Sequence, residues 1–148
     1  MKLKIIHLVM TTLLTLALVG CSSSSTEEKL KPINGKLPDC PSSPNCVSTQ
    51  ASNPEKKMEP LAFKGDIEQS KQKILSIVNG MKRTKLIDQT EDTLHVTFTS
   101  AVFRFVDDVI FYFDEAEQVI HFRSSSRTGH SDFGVNQKRM SKISELYN

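Results

Sequence analysis

Two short stretches of this sequence hold the residues most capable of chemistry. The first, Phe105–Val109, contains two consecutive aspartates, Asp107 and Asp108, inside an otherwise apolar run. The second, Arg123–Asn136, combines arginine, serine, histidine and aspartate with two glycines, and Arg139 follows it closely. A buried carboxylate needs a partner, and arginine binds carboxylates and phosphates through paired hydrogen bonds. The residue types therefore indicate an ion-paired polar cluster, a site for an anion, or both.

The two aspartates require partners because aspartate is depleted in β-strands. Neighbouring side chains of a strand point to opposite faces of its sheet, so at least one of the two can face the packed side. The candidate partners on the next strand are Arg123 and Arg127, and Arg139 is a third candidate in the last helix. Without the register of the hairpin, the sequence does not assign the pairs.

We predict that these residues form a polar cluster that is mainly structural and that can also bind an anionic ligand. Its members carry carboxylate, guanidinium, hydroxyl or amide groups: Asp107, Asp108, Arg123, Ser124, Ser126, Arg127, Ser131, Asp132, Asn136 and Arg139. As a structural unit, its arginines neutralise its aspartates, and Ser126, Ser131 and Asp132 satisfy backbone groups and cap the last helix. As a binding site, its donors hold a phosphate or carboxylate of a small molecule, a lipid headgroup or an envelope protein.

Two other functions need a different geometry. A hydrolase-like enzyme would use the Ser126–Asp132 loop, with a serine nucleophile, His130 as base and Asp132 to orient it. However, His130 and Ser131 are adjacent, and the loop lacks both the G-x-S-x-G and the S-x-x-K motif. A divalent metal would need the aspartates together with His121 or His130, a spacing that is not diagnostic. We therefore predict no catalytic residue, no metal site and no cofactor.

The N-terminus resembles a bacterial lipoprotein signal. Lys2 and Lys4 precede the apolar run Ile5–Val19, and small residues lead to Cys21, which is followed by four serines. We expect cleavage after residue 20 and acylation of Cys21, so that the acyl chains hold the protein on a membrane. An ordinary signal peptide and an uncleaved anchor are the alternatives.

The residue after Cys21 and the net charge of the chain give further indications of location and partners. Ser22 after the lipidated cysteine resembles the outer-membrane signal of Gram-negative lipoproteins, so we expect the periplasmic face of the outer membrane. The chain has 19 Lys and Arg against 17 Asp and Glu, and the signal removes two lysines. A neutral mature chain argues against a nucleic-acid partner.

Two cysteines remain, in the segment Cys40-Pro-Ser-Ser-Pro-Asn-Cys46. In an oxidising compartment an even pair usually forms a disulfide, which we predict here. Free or redox-active thiols and a metal site are the alternatives. A redox pair is usually spaced C-x-x-C, and zinc needs further ligands that do not lie nearby in the sequence.

The elements that position these residues follow from hydrophobic periodicity. We predict a helix over Ile67–Val78 with Asp66 as its cap. Four strands and a final helix follow: Thr84–Gln89, Thr93–Ser100, Phe103–Phe113, Val119–Ser125 and Val135–Tyr147. The fold class is α+β, a single small domain with an antiparallel sheet of about four strands and the two helices packed on it.

The chain divides into three predicted segments. Residues 1–20 are the signal, 21–36 a flexible tether and 37–148 the domain, with 37–60 irregular and pinned by the disulfide.

The same patterns predict which side chains are buried. Six phenylalanines are candidates for the core: Phe98, Phe103, Phe105, Phe111, Phe113 and Phe122. In the last helix, Val135, Arg139, Ile143 and either Leu146 or Tyr147 share one face. We expect His95 and His121 to be half-exposed strand residues.

Three segments also carry a resemblance to a known family. These are C-P-S-S-P-N-C, F-V-D-D-V and R-S-S-S-R-T-G-H-S-D-F-G-V-N-Q-K-R, in this order. From about Pro38 to the C-terminus the chain resembles the bacterial family catalogued as domain of unknown function 1499. The resemblance implies an envelope-associated or membrane-linked domain with a preserved polar surface, and it implies no reaction. We therefore expect a lipid-anchored envelope protein that acts as a binding or structural module.

Overall fold

Alternating apolar and polar residues build the strands on which the rest of the molecule packs. The computed structural model describes residues 29–148, so the predicted signal, Cys21 and the start of the tether lie outside the described part. The elements in chain order are β1 Cys46–Ser48, a 3-10 helix Pro54–Lys56, β2 Leu61–Ala62, α1 Ile67–Asn79, β3 Thr84–Gln89, β4 Thr93–Thr99, β5 Val106–Asp114, β6 Val119–Ser126 and α2 Val135–Tyr147.

The strands form one antiparallel sheet in the order β1-β6-β5-β4-β3, and β2 also pairs with β6. This confirms the α+β class with two helices, but the expected number of about four strands is wrong because the sheet has six. The additional strands are β1 and β2, which have only three and two residues. Both form on the edge of β6, where Cys46 lies opposite Ser125 and Leu61 opposite Ile120. Strands of two or three residues are too short to show the alternation of apolar and polar residues by which a strand is predicted. They form because a distant strand, β6, supplies their hydrogen-bond partners.

Helix α1 begins at a capping box. Asp66 accepts a hydrogen bond from the Gln69 amide at 2.8 Å, and the Gln69 side chain accepts one from the Asp66 amide at 3.3 Å. Two unsatisfied amides are thereby paired, which fixes where the helix starts. Its buried face includes Lys71, whose Nζ donates to the Thr90 and Glu91 carbonyls at 3.0 and 2.5 Å. The lysine stem therefore packs like an apolar residue while its charge remains hydrogen-bonded.

Helix α2 packs with most of the predicted face, since Ile143 and Tyr147 are completely buried and the Arg139 side chain is only 9% exposed, but the prediction is wrong for Val135. Its buried residues are Asn136, Met140, Ile143 and Tyr147, whereas Val135 and Leu146 are exposed. The polar residue Asn136, and not the apolar Val135, sets the rotation of the helix. Its side-chain amide is completely buried and is hydrogen-bonded to other elements.

Four of the six phenylalanines, at positions 98, 111, 113 and 122, belong to the core between the sheet and the helices. The prediction is wrong for Phe103 and Phe105, which are 74% and 52% exposed. Strand β5 begins only at Val106, so both lie in the loop that joins β4 to β5.

The other face of the sheet is polar, yet it is also covered. His95, Asp108, His121 and Arg123 are all buried there. The covering segment starts at the end of the predicted tether. Leu30, Lys31 and Pro32 line a small cavity with His95 and Ile110, Lys31 pairs with Asp88 at 3.4 Å, and the Leu37 amide donates to Gln50 at 2.8 Å. The sheet thus lies between two helices on one side and an irregular N-terminal segment on the other.

Within residues 29–148, neither helix has the length and apolar character needed to cross a lipid bilayer.

The predicted disulfide is confirmed: Cys40 and Cys46 are bonded, with Cα atoms 5.7 Å apart. The side chain of Lys56 fills the ring and donates to the carbonyls of Pro41 and Ser43. Because Cys46 is the first residue of β1, the bond ties the irregular segment to the edge of the sheet.

We expect the double change Cys40→Ala and Cys46→Ala to lower the free energy of unfolding by about 2 kcal/mol, the loop-closure entropy of so small a ring. Urea unfolding measures this loss, and reduction of the wild-type protein is the matched control that must reproduce it. Equal stability of the oxidised wild type and the double variant would contradict the prediction.

Candidate functional site

The register of β5 and β6 divides the predicted cluster between the two faces of the sheet. Asp107 lies opposite Ser126, and Asp108 lies opposite Ser125. Consecutive side chains alternate between faces, so Asp107 faces the helices and Asp108 faces the N-terminal segment. We call the group around Asp107 the helix-side cluster and the group around Asp108 the polar-face cluster.

In the helix-side cluster, Arg139 of α2 neutralises Asp107. Its Nη2 donates to Asp107 Oδ2 at 2.5 Å, and its Nη1 donates to Asn136 Oδ1 at 2.7 Å and to Ser124 Oγ at 3.2 Å. The guanidinium also lies over the Phe98 ring, 4.6 Å from its centroid. Both charged side chains are at least nine-tenths buried, so each depends on the other for its stability.

Asn136 joins this pair to the rest of the chain. Its Nδ2 donates to the Asn45 carbonyl at 3.2 Å, to Ser126 Oγ at 3.1 Å and to Asp132 Oδ2 at 2.7 Å. Asp132 in turn accepts from the backbone amides of Gly134 and Asn136, at 3.0 and 2.8 Å, and so caps α2. The helix-side cluster is therefore closed, with its charged groups paired, and its role is to attach α2 to β6.

In the polar-face cluster, Asp108 is held from two sides. Its Oδ1 accepts from His95 Nε2 at 2.7 Å and from Arg127 Nη2 at 2.8 Å, and its Oδ2 accepts from Arg127 Nε at 2.8 Å. Burial raises the pKa of Asp108, but the hydrogen bonds from Arg127 and His95 outweigh it and bring this pKa to about 2. Since an ionised carboxylate only accepts hydrogen bonds, Nε2 of His95 carries the hydrogen.

Arg123 lies in the same cluster, and of the three candidate partners it is the one that, in the described part of the chain, pairs with neither aspartate. Within residues 29–148 it forms an ion pair with neither Asp107, which pairs with Arg139, nor Asp108, which pairs with Arg127 and His95. Its side chain is buried and its Nε has no hydrogen-bond partner. Burial lowers the pKa of Arg123, while the charges of Asp108 and Asp39 raise it. A buried guanidinium that lacks a hydrogen bond is costly for the fold.

A cavity of about 360 Å³ adjoins this arginine. Its lining consists of Leu30, Asp108, Arg123, Ser125, Ser126 and Arg127. Two guanidinium groups face one carboxylate there, which leaves a positive surplus beside serine donors. Two larger grooves, of about 690 and 720 Å³, lie at the other end of the sheet and are lined by Glu91 and Glu115. Their acidic lining repels anions, so the smaller cavity is the candidate anion site.

The Ser126–Asp132 loop, which the hydrolase alternative would use, contributes the cap of α2. His130 is exposed and, in the described chain, forms no hydrogen bond with Ser124, Ser126 or Ser131. Asp132 uses both carboxylate oxygens on α2, and Ser131 Oγ accepts from the Phe133 amide at 3.3 Å. The geometry therefore lacks the nucleophile and base pair that this mechanism needs.

One group of described side chains could hold a cation, and it lies outside both clusters. Asp114, Glu117 and His121 bring one ligating atom each within 4.8 Å of the others. His121 Nδ1 is hydrogen-bonded to Thr49 Oγ1 at 3.0 Å, and Glu117 is largely exposed. These residues are at the acidic end of the sheet, opposite the cavity beside Arg123, so the aspartates of the predicted cluster are not part of the group.

Three residues of the two clusters were missed by the sequence analysis: Asn45, His95 and Ser125. The expectation that His95 and His121 are half-exposed is wrong, since both are buried. The N-terminal segment covers their face of the sheet, and nothing in its composition predicts that. A usable signal for His95 was its place between Leu94 and Val96, which assigns it to the polar face of β4.

Residues 36–146 match the family described as "Protein of unknown function (DUF1499)". The matched range contains the disulfide and both clusters, and it confirms the resemblance noted in the sequence. No curated protein matches the chain at a significant level.

We expect Asp108→Asn to remove part of the acid sensitivity of the fold. The pKa of Asp108 is lowered from 3.8 to about 2, so its contribution of about 2 kcal/mol is present above about pH 4 and is lost as the pH falls towards 2. The variant should be less stable at pH 7 and lose less stability between these pH values, as measured by urea unfolding. Asp88→Asn, at an exposed ion pair, is the control and should keep the wild-type profile. An equally steep loss in Asp108→Asn would contradict this assignment.

Proposed function

The chain belongs to the DUF1499 family of proteins of unknown function, and we propose that it is a lipid-anchored cell-envelope protein that binds an anionic ligand beside Arg123. It acts as a binding module rather than as an enzyme. The observation that carries this proposal is the buried side chain of Arg123, which lines a cavity and whose Nε has no hydrogen-bond partner among the described residues.

The charge balance of the cavity supports an anion as its ligand. Arg127 and His95 already neutralise Asp108 through three short hydrogen bonds, and in the described chain this carboxylate forms no ion pair with Arg123. The charge of Arg123 therefore remains to be compensated. A phosphate or carboxylate oxygen supplies a charge-assisted hydrogen bond to it, which is stronger than a bond between neutral groups.

The neighbouring serines supply further donors. Ser125 lies on the same face of β6 as Arg123, and the only acceptor that its hydroxyl contacts in the described chain is the Ser126 carbonyl, at a long 3.5 Å. A small anion in the cavity offers this hydroxyl a shorter bond. The volume of about 360 Å³ suits a small molecule or the phosphate of a lipid headgroup.

In this proposal, the lipoprotein signal that ends at Cys21 keeps the cavity near the membrane. Cys21 precedes Leu30, a residue of the cavity lining, by nine positions. An extended chain of that length spans about 30 Å, so the cavity stays within that distance of the acylated cysteine. On the periplasmic face of the outer membrane, the anions within this reach are lipid headgroups, small molecules and acidic groups of envelope proteins.

Arg123→Gln should weaken the binding of inorganic phosphate, measured by isothermal titration calorimetry, by about tenfold or more, the value of a hydrogen bond to a charged group. Arg104→Gln removes the same charge at an exposed position outside the cavity and serves as the matched control. The free energy of unfolding of Arg123→Met should stay equal or rise, because the change removes an uncompensated buried charge.

Citrate, a carboxylate ligand, is titrated in the same way as phosphate. If neither anion binds to the wild-type protein, the cavity is not the anion site. The same conclusion follows if Arg123→Gln and Arg104→Gln lose affinity equally. A large loss of stability in Arg123→Met would show instead that the arginine is a structural residue.

Mass spectrometry of the native protein tests the anchor separately. We expect a mature chain that begins at Cys21 and carries a diacylglycerol thioether and an N-acyl group. Cys21→Ala should abolish the lipid mass and release the protein from the membrane fraction. A mature N-terminus at another residue, without lipid, would refute the anchor and leave the anion site untouched.

A further inference from the structure

The loop between β4 and β5 exposes a cluster of large apolar side chains. Val102 is 79% exposed, and the rings of Phe103 and Phe105 stack on each other with centroids 5.6 Å apart. The loop adds nothing to the core, because β5 begins at Val106 and the core phenylalanines lie deeper in the sheet. Contiguous exposed apolar groups of this kind mark an interaction surface.

A third exposed aromatic residue, Phe133, lies in a loop at the same end of the sheet. Thr99 pairs with Val106, and Asp107 pairs with Ser126, so the β4–β5 loop and the end of β6 are neighbours. The loop that follows β6 contains Phe133, whose surface is 89% exposed. We call this end of the sheet, with residues 100–105 and 127–134, the apolar end.

Charge is distributed unequally along the strands. Arg104 lies between Phe103 and Phe105 in the sequence and is exposed, and Lys82 and Arg83 follow α1 at the same end. There, Arg83 Nε donates to the Thr99 carbonyl at 2.9 Å. The turns at the opposite end hold five carboxylates: Glu91, Asp92, Asp114, Glu115 and Glu117. The molecule is therefore apolar and basic at one end and acidic at the other.

This polarity selects one kind of partner. A bilayer that contains anionic lipids attracts the basic end, repels the acidic end and accepts exposed aromatic side chains at its interface. Within the described chain, the N-terminal segment runs away from this end, since Leu30 lines the cavity with Arg127 while Gly35 lies near Tyr112, further along the sheet.

We propose that the apolar end docks on an anionic lipid bilayer, with Phe103 and Phe105 inserted at the interface and Arg83 and Arg104 facing the lipid phosphates. This surface is distinct from the cavity beside Arg123, and its binding requires neither the acylation of Cys21 nor a ligand in that cavity. It gives the domain a fixed orientation on the membrane, with the acidic turns pointing away.

The absence of tryptophan from the sequence makes a direct test possible. Phe103→Trp places a single fluorophore in the apolar end, and Leu146→Trp places one at an exposed position near the C-terminal end of α2 as the matched control. Both changes are made in the mature chain from residue 21 with Cys21→Ser, so that no acyl chain contributes. The probe is a vesicle of phosphatidylglycerol and phosphatidylethanolamine, with phosphatidylcholine vesicles as the neutral reference.

We expect the emission of Phe103→Trp to shift to shorter wavelength and to be quenched by brominated acyl chains on the anionic vesicles, while Leu146→Trp stays unchanged. In the same mature chain carrying Phe103→Trp, Arg104→Gln should weaken vesicle binding about fivefold, and Phe105→Ala about tenfold or more. Lys142→Gln removes one charge from α2, away from this end, and should have little effect. Raising the salt concentration should weaken binding, because exposed charges are screened.

Equal responses of the two tryptophan reporters, or no binding of the folded protein to anionic vesicles, would overturn the proposal. A concentration-dependent blue shift of Phe103→Trp without vesicles would assign the surface to a second copy of the chain instead. Arg123→Gln separates the two sites: loss of phosphate binding with intact vesicle binding means that they are independent, and their joint loss contradicts this inference.

Discussion

Two adjacent carboxylates in one buried strand impose the constraint on which the rest of this structure depends. Asp107 and Asp108 lie on opposite faces of β5, and each is nearly inaccessible to water. Leaving either charge without a partner costs about 3–5 kcal/mol, a large part of the stability of a domain of this size. Each face of the sheet must therefore receive a cation. One comes from a helix, as Arg139, and the other from the end of the neighbouring strand, as Arg127.

Arg139 and Arg127 neutralise the two aspartates, and the positive charge of Arg123 is left without an ion pair in the described chain. Arg127 lies just beyond β6, where a partly exposed side chain can form a two-point contact with Asp108. Arg123 lies within β6, opposite Ile110, and meets no acceptor for its Nε. The paired residues thus account for the architecture, and the unpaired one is where function is to be sought. A binding site needs such an unsatisfied group, because a closed network gains nothing from a ligand.

Local patterns predicted the main elements of the fold because local interactions specify them. The alternation in β4 and the capping box at Asp66 are visible in short windows of sequence. The pairing of Asp108 with Arg127 and not with Arg123 depends on a register and on side-chain reach. The burial of His95 depends on a distant irregular segment that covers it. Phe103 and Phe105 continue the apolar alternation of a strand, so their exposure follows from where the hairpin turns, which no local pattern specifies.

The two proposed binding surfaces lie towards the same positively charged end of the molecule, but their arginines differ in solvent exposure. The guanidinium of Arg123 is buried, so its attraction for an anion is only weakly screened by salt, whereas Arg83 and Arg104 are exposed and strongly screened. At physiological ionic strength, exposed arginines alone hold a bilayer weakly, so in the proposed docking the aromatic side chains must supply most of the attachment. The exposure of Phe103 and Phe105 is then a requirement of docking rather than a defect of packing. The proposed anion site at the buried arginine, by contrast, does not depend on whether the domain rests on a membrane.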